Sequence, residues 1–95
     1  MIGSFGDAGT ARFAKGARVK PFEPFRRQAE KTLDRLDAAT SLRDLAAFPG
    51  HHLEKLKGDR AGTYSIRIND RWRISFAWPE GSSGPEWVTI EDYHD

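Results

Sequence analysis

The 95 residues contain no cysteine. That excludes a disulfide framework, a thiol nucleophile and any cysteine-based zinc site, and it fits a reducing compartment. Long apolar runs are missing too, since no segment approaches the ~20 apolar residues of a membrane span. Met1–Phe5 lacks the basic start and long apolar stretch of a secretory leader. The expectation is a soluble, cytoplasmic protein without a membrane partner. No glycine-rich phosphate loop is present, because Gly58 and Gly62 have neither the spacing nor the following helix. No serine sits in a nucleophile elbow. His51 and His52 are adjacent, so on a strand they point to opposite faces and do not easily share one metal. Neither a metal site nor a cofactor is expected.

Positive charge is missing from one end. Pro79 to Asp95 holds five acidic residues and no lysine or arginine, whereas Ala11–Arg35 holds eight basic against three acidic and His51–Arg73 six against three. The net charge of +1 hides this segregation. A basic body with an acidic tail suits a polyanion or an acidic partner. The tail is also a possible general acid/base element beside a basic site.

The clearest pattern that is present runs from Lys57 to Trp78. A basic, glycine-flanked turn leads into period-two alternation, broken at Asn69-Asp70-Arg71 and resumed from Trp72. This predicts two antiparallel strands joined by a tight turn. Tyr64, Ile66, Ile68, Trp72, Ile74, Phe76 and Trp78 form the core-facing set, and Ser65, Arg67, Arg73 and Ser75 the other. An arginine-bearing sheet face is either a solvated surface or a site for an anion. Periodicity alone favours the solvated surface.

Around that hairpin, Met1–Phe5 reads as a short edge strand, and Asp7 as the cap of a helix from Ala8 to Lys15 closed by Gly16. Phe25, Ala29, Leu33 and Leu36 recur at helical spacing and predict a helix from Glu23 to Ala38, with Pro24 in its first turn. Thr40 or Ser41 caps a further helix through Ala47. His51–Leu56 reads as a short strand, Pro79–Pro85 as a loop and Glu86–Glu91 as the last strand. Helices followed by strands indicate a small single α+β domain over residues 1–95, with helices on one face of an antiparallel sheet. Arg67 and Arg73 would then lie on its open face.

The polar groups Lys57, Arg67, Arg71, Arg73, Tyr93 and His94 have the chemistry for RNA cleavage without a metal. That reaction needs a base for the ribose 2′-OH, cations for the phosphate oxygens and an acid for the leaving 5′-oxygen. Histidine suits the proton transfers, and tyrosine can stack on a base. The plainer readings are a solvated histidine near the chain end and a packing tyrosine.

The run Leu53-Glu54-Lys55-Leu56-Lys57-Gly58-Asp59-Arg60-x-Gly62, then Tyr64–Asp70, then Trp72-Arg73-Ile74-x-Phe76, then Asp92-Tyr93-His94, resembles the HigB-type toxins. These belong to the RelE superfamily of type II toxin–antitoxin systems, and the GraT subgroup looks most similar. The resemblance covers nearly the whole chain. It implies an α+β microbial-ribonuclease-like fold and ribosome-dependent endonucleolytic cleavage of mRNA, which inhibits translation. It also implies a HigA-like helix-turn-helix antitoxin as partner, with operator DNA reached only through that antitoxin. Carried over by motif position, His94 would be the main acid/base group, with Tyr93 and Asp92 in support. Lys57 would supply charge or proton transfer, and Arg73 would bind the scissile phosphate. Arg67, Arg71, Arg60 and Lys55 fall to RNA or ribosomal RNA contact.

Three departures stand against the family pattern. Glu54-Lys55 occupies the place where some members carry a His-Pro pair. Asp95 follows the terminal histidine, and Gly3 stands where a basic residue is common. The first two support an alternative: a catalytically weak or inactive toxin fold that acts as an antitoxin- or ribosome-binding module.

Overall fold

A computed structural model describes residues 1–48, 50 and 52–92. Three α-helices precede a four-stranded antiparallel sheet whose spatial order, β1-β2-β3-β4, is the chain order. α1 spans Ala8–Ala14. The Asp7 side chain accepts from Thr10 N at 2.7 Å to cap it, which meets one of the orphan donors of a helix start. Gly16 follows at a φ of 98°, the left-handed region where glycine avoids a Cβ clash.

The central helix starts later than its apolar spacing implies. Lys20–Phe25 is a 3-10 turn, and α2 proper runs Arg26–Ala38. Pro24 has no N–H to give an α-helical ladder, and the tighter turn accommodates it. α2 buries Ala29, Leu33 and Leu36 as its stripe. α3, Leu42–Ala46, is capped by Ser41. Asp44 reaches back to Thr40 N and Thr40 Oγ1, both at 2.9 Å, so its carboxyl is held below the usual aspartate value by the Thr40 backbone first.

The hairpin follows the alternation. β2 (Thr63–Arg67) and β3 (Trp72–Ala77) pair with Tyr64 opposite Phe76 and Ile66 opposite Ile74. Asn69 Oδ1 accepts from Arg71 N and Trp72 N, at 2.9 and 2.8 Å, the local bonding that makes asparagine a turn residue. β1 is only Glu54–Lys55, shorter than the strand expected over 51–56. His52 has a φ of 46°, and extended pairing cannot pass through a left-handed residue. β4 runs Glu86–Asp92 against β3. No described helix is long and apolar enough to cross a membrane.

One face of the sheet carries the core. Ile66, Ile74, Phe76, Val88 and Ile90 pack beneath Phe13, Phe22, Phe25, Leu33, Leu36 and Leu45. Trp72 meets the rings of Phe22 and Phe25 at 5.7 and 4.9 Å. The buried Thr10 accepts from Ile90 N at 3.0 Å and ties α1 to β4.

The chain start forms no strand. It runs beside β4 through a parallel bridge from Phe5 to Val88. At this point β4 bulges. Ser75 pairs with Thr89 and Ala77 with Glu86, so Trp87 and Val88 together oppose Phe76. Val88 is buried, and Trp87 takes a φ of 57°. For a bulky residue that conformation costs about 1–3 kcal/mol.

Candidate functional site

The face of the sheet away from the helices is not an open arginine surface. The register sets two cross-strand rows on it. Arg67, Arg73 and Glu91 form one, and Glu54, Ser65, Ser75 and Thr89 the next. Arg73 is 8% exposed. Its Nε donates to Ser65 Oγ at 2.9 Å, and a terminal nitrogen donates to the His52 carbonyl at 2.7 Å. Ser65 and Ser75 are buried beside it. The solvated reading of this face is therefore corrected. Alternation assigns a side chain to a face, but a loop decides whether that face is wet. Here the His52 carbonyl and the turn after β1 lie across it.

That turn is the basic stretch from Lys57 to Gly62. Gly58–Arg60 forms a 3-10 turn, bounded by Gly58 and Gly62 at positive φ. It carries Arg60 over the face to Glu91, with nitrogen–oxygen distances of 2.7 and 3.0 Å. The two parallel bonds form the fork geometry that arginine makes with a carboxylate. Ser75 Oγ also donates to Glu91 at 2.6 Å. Glu91's carboxyl is pushed below the usual glutamate value by the Arg60 hydrogen bond first. Partial burial opposes this and the Ser75 bond adds to it.

The other candidate cations stand at the margins. Arg67 pairs with Asp70 across the hairpin turn. Arg71 Nε donates to Asp92 Oδ2 at 2.8 Å. Lys55 is exposed on the edge strand, opposite Tyr64. Lys57 is exposed and follows Leu56, whose N–H bonds to Thr63. Thr63 lies four residues along β2 from Arg67, about 13 Å by strand rise. Lys57's backbone is thus at the far end of the hairpin from the Arg67–Arg73 row.

Asp92 and Arg73 do not share a face. Asp92 pairs with Trp72 and Arg73 with Glu91, and successive strand residues point to opposite sides. The carboxylate that the sheet places next to Arg73 is Glu91, which the motif reading passed over. Its signal was present: extending the alternation of the last strand into register with the hairpin sets Glu91 opposite Arg73. Tyr93 and His94 lie outside the described residues. Among the described residues no group of three His, Asp or Glu side chains is placed to hold a metal ion.

A separate cleft of about 580 Å³ lies between the chain start, α1 and α2. Its floor includes Ile2, Phe5, Phe13 and Leu33, and Glu30, Asp34 and Asp37 line it with Lys15. Three carboxylates against one lysine make it a poor seat for a polyanion.

The comparisons agree on one family. A model describing the RelE-like toxin HigB of type II toxin–antitoxin systems matches residues 4–94. Among curated proteins, Toxin HigB-1 of Vibrio cholerae is 41% identical over 51 residues, which cover 54% of each chain. Endoribonuclease HigB of Proteus vulgaris is 37% identical over 62 residues, covering 65% of this chain and 64% of that protein. The chain thus spans between half and two thirds of the length of the relatives it matches. With the family model matching almost every residue and the α+β fold in agreement, this chain belongs to the HigB-like family of RelE-type toxins.

Proposed function

We propose that this chain is the toxin of a type II toxin–antitoxin system and acts as an mRNA endoribonuclease. The observation that carries the reading is the family match over residues 4–94. The likeness to a protein named an endoribonuclease supports it. So does a sheet face built around a buried guanidinium with further cations at its rim.

The reaction is a transesterification. A base takes the proton of the ribose 2′-OH, and the oxygen attacks phosphorus. The bond to the 5′-oxygen breaks, and an acid returns a proton to that oxygen. Negative charge grows on the phosphate oxygens in between, where fixed cations act most strongly. Arg73 is the group for that task. Ser65 Oγ and the His52 carbonyl accept from its guanidinium and orient it. His94 is the proposed acid/base group, with Tyr93 and Asp92 in support and Lys57 supplying charge.

Arg60, Arg67 and Arg71 hold exposed or half-exposed ion pairs. Such pairs contribute about 0–1 kcal/mol, so a phosphate can displace the carboxylate at little cost. These three and Lys55 are the proposed contacts to message or ribosomal RNA. The substrate is message on the ribosome. The neutralising partner is a HigA-like helix-turn-helix antitoxin, through which alone operator DNA is met, and the setting is the cytoplasm.

Mapping of message cleavage with and without ribosomes tests this. Cuts that require ribosomes and vanish in His94→Ala are the expected result. An intact message with folded protein would sink the proposal. A second reading is a toxin fold that binds antitoxin but has lost the chemistry. It is favoured by Glu54, whose register opposite Ser65 puts an extra carboxylate on Arg73's face. It predicts a tight antitoxin complex and no cleavage under any condition.

A further inference from the structure

The outer surface of α2 is split by charge. At 3.6 residues per turn, Arg27, Lys31 and Arg35 succeed one another at i,i+4 along one flank, and Glu30, Asp34 and Asp37 share the other. Like charges at that spacing destabilise a helix, so the arrangement works against the element that carries it. Each of the first two cations has an opposite charge three residues on, Glu30 for Arg27 and Asp34 for Lys31. Neither pair is made, and Glu30 bonds to Arg26 at 3.4 Å instead. Among the described residues, Arg27 and Lys31 have no carboxylate within ion-pair reach. A charged row that costs the helix stability and is not neutralised within the fold points to a task outside it.

The two flanks look different ways. The acidic one lines the cleft beneath the chain start, where Asp37 accepts from Ile2 N at 2.8 Å. The basic one turns its Arg35 end toward α3. There the guanidinium lies 4.6 Å from the centroid of the Phe48 ring, a stacking that orients the cation and keeps its charge. Asp44 lines the same hollow as Arg35, but its Oδ2 is already bonded to Thr40 N and Oγ1. Arg27 and Lys31 are exposed. Helix rise sets the three positions about 6 Å apart, over about 12 Å in all.

That row names its ligand by charge and by what it lacks. Regularly spaced cations on a rigid helix suit a polyanion whose charges repeat along a backbone. No aromatic residue stands in the row, and Arg35 lies over the ring of Phe48 beside it. Single strands are held by phosphate contacts together with base stacking, whereas double-helical RNA is met by its shape, through phosphates and 2′-hydroxyls. The row offers the phosphate contacts without a stacking platform. It also stands apart from the cations of the sheet. α2 buries Ala29, Leu33 and Leu36 in the core on one side of the sheet, and Arg73 lies on the other.

We propose that the basic flank of α2, Arg27, Lys31 and Arg35, is a docking surface for the backbone of double-helical RNA. The proposal rests on the RNA-cleaving reading and adds to it a second RNA contact, on the helix side of the molecule, which leaves the face of Arg73 open to the strand that is cut.

The test is anisotropy of a labelled RNA duplex of about 16 base pairs titrated with the intact chain between about 50 and 200 mM salt. The wild type should bind with a steep salt dependence. The triple variant Arg27→Ala/Lys31→Ala/Arg35→Ala should lower the slope of log affinity against log salt by about three and weaken binding at the lower salt about tenfold or more. The double variant Arg27→Ala/Lys31→Ala, which keeps the Arg35 stack, should lower the slope by about two. Alanine favours a helix at exposed positions, so the melting temperature of the double variant should equal or exceed that of the wild type. Arg12→Ala/Lys15→Ala/Arg18→Ala removes the same charge elsewhere and should keep the wild-type slope to within about one. Equal losses in the two triple variants overturn the proposal in favour of a general charge effect, and equal slopes in wild type and double variant overturn it outright. Equal or tighter binding of a single strand or of the matching DNA duplex also overturns it. Failure of the wild type to bind the RNA duplex does so too, and the ribosome cleavage assay then judges the parent reading separately.

Discussion

The two faces of the one sheet are built from alternate residues of the same strands, yet they are closed in different ways. The helix-facing side is filled by helices that bring rings and branched chains onto Ile66, Ile74 and Phe76. The other side is filled by short connecting segments and polar atoms: the His52 carbonyl on Arg73, Arg60 on Glu91, Ser75 on Glu91. The first is held by removal of apolar area from water, which is non-directional and large. The second is held by hydrogen bonds, each worth about 1 kcal/mol net, with groups that must be in register. The apolar face carries the fold, and the polar face is closed by weaker, directional contacts.

Substitutions can break that contrast at either side. Phe76→Ala strikes the apolar side at a fully buried ring and should destabilise the domain by about 3–5 kcal/mol, read as a fall in the denaturant midpoint. Arg73→Lys keeps the charge but loses the planar fork. It should cut cleavage of ribosome-bound message about a hundredfold, equivalent to about 2.7 kcal/mol, while the chain still folds. Cleavage at the wild-type rate would remove Arg73 from the chemistry. Ser75→Ala deletes one donor to Glu91 and should cost about 1 kcal/mol in chemical denaturation.

The smallest effect is on pH dependence. Glu91's carboxyl titrates below its ordinary value of 4.5, so its contribution is complete above that value and is lost as pH falls through the lowered one. For a partly exposed pair this amounts to less than about 1 kcal/mol. Glu91→Gln should flatten the acid side of the stability profile by that amount. An unchanged slope would show that the Arg60 pair contributes nothing in solution.

Much of the fold is legible in the residues because local rules govern it. Asp7 and Ser41 cap helices as their side chains require. The period-two run fixes the hairpin, and with it the side on which Arg73 lies. What was not legible is tertiary. Nothing in Arg73's neighbours tells that the His52 carbonyl will be its acceptor. The left-handed backbone at His52 and Trp87 accompanies hydrogen bonds to residues far along the chain, Arg73 and Ser4. The site was half legible for the same reason. Glu91, which the motif does not name, is set opposite Arg73 by the register. Lys57, first in the basic turn, stays at the rim, whereas Arg60, three residues on, crosses the face to Glu91 on β4.

The chain start, bonded along β4, has a consequence for the order of events during synthesis. Ser4 contacts Trp87 across 83 residues of sequence, and Gly3 and Gly6 bond to Pro85 and Val88. Hairpin neighbours can pair as they emerge, since the sheet follows chain order, and local contacts close quickly. Ile2 can already bond to Asp37 of α2, but Ser4 and Gly6 have no β4 partner until Glu86–Asp92 has been made. The stretch around Ser4 is thus docked onto β4 late, and the bulge at Trp87 is assembled only when segments 83 residues apart meet.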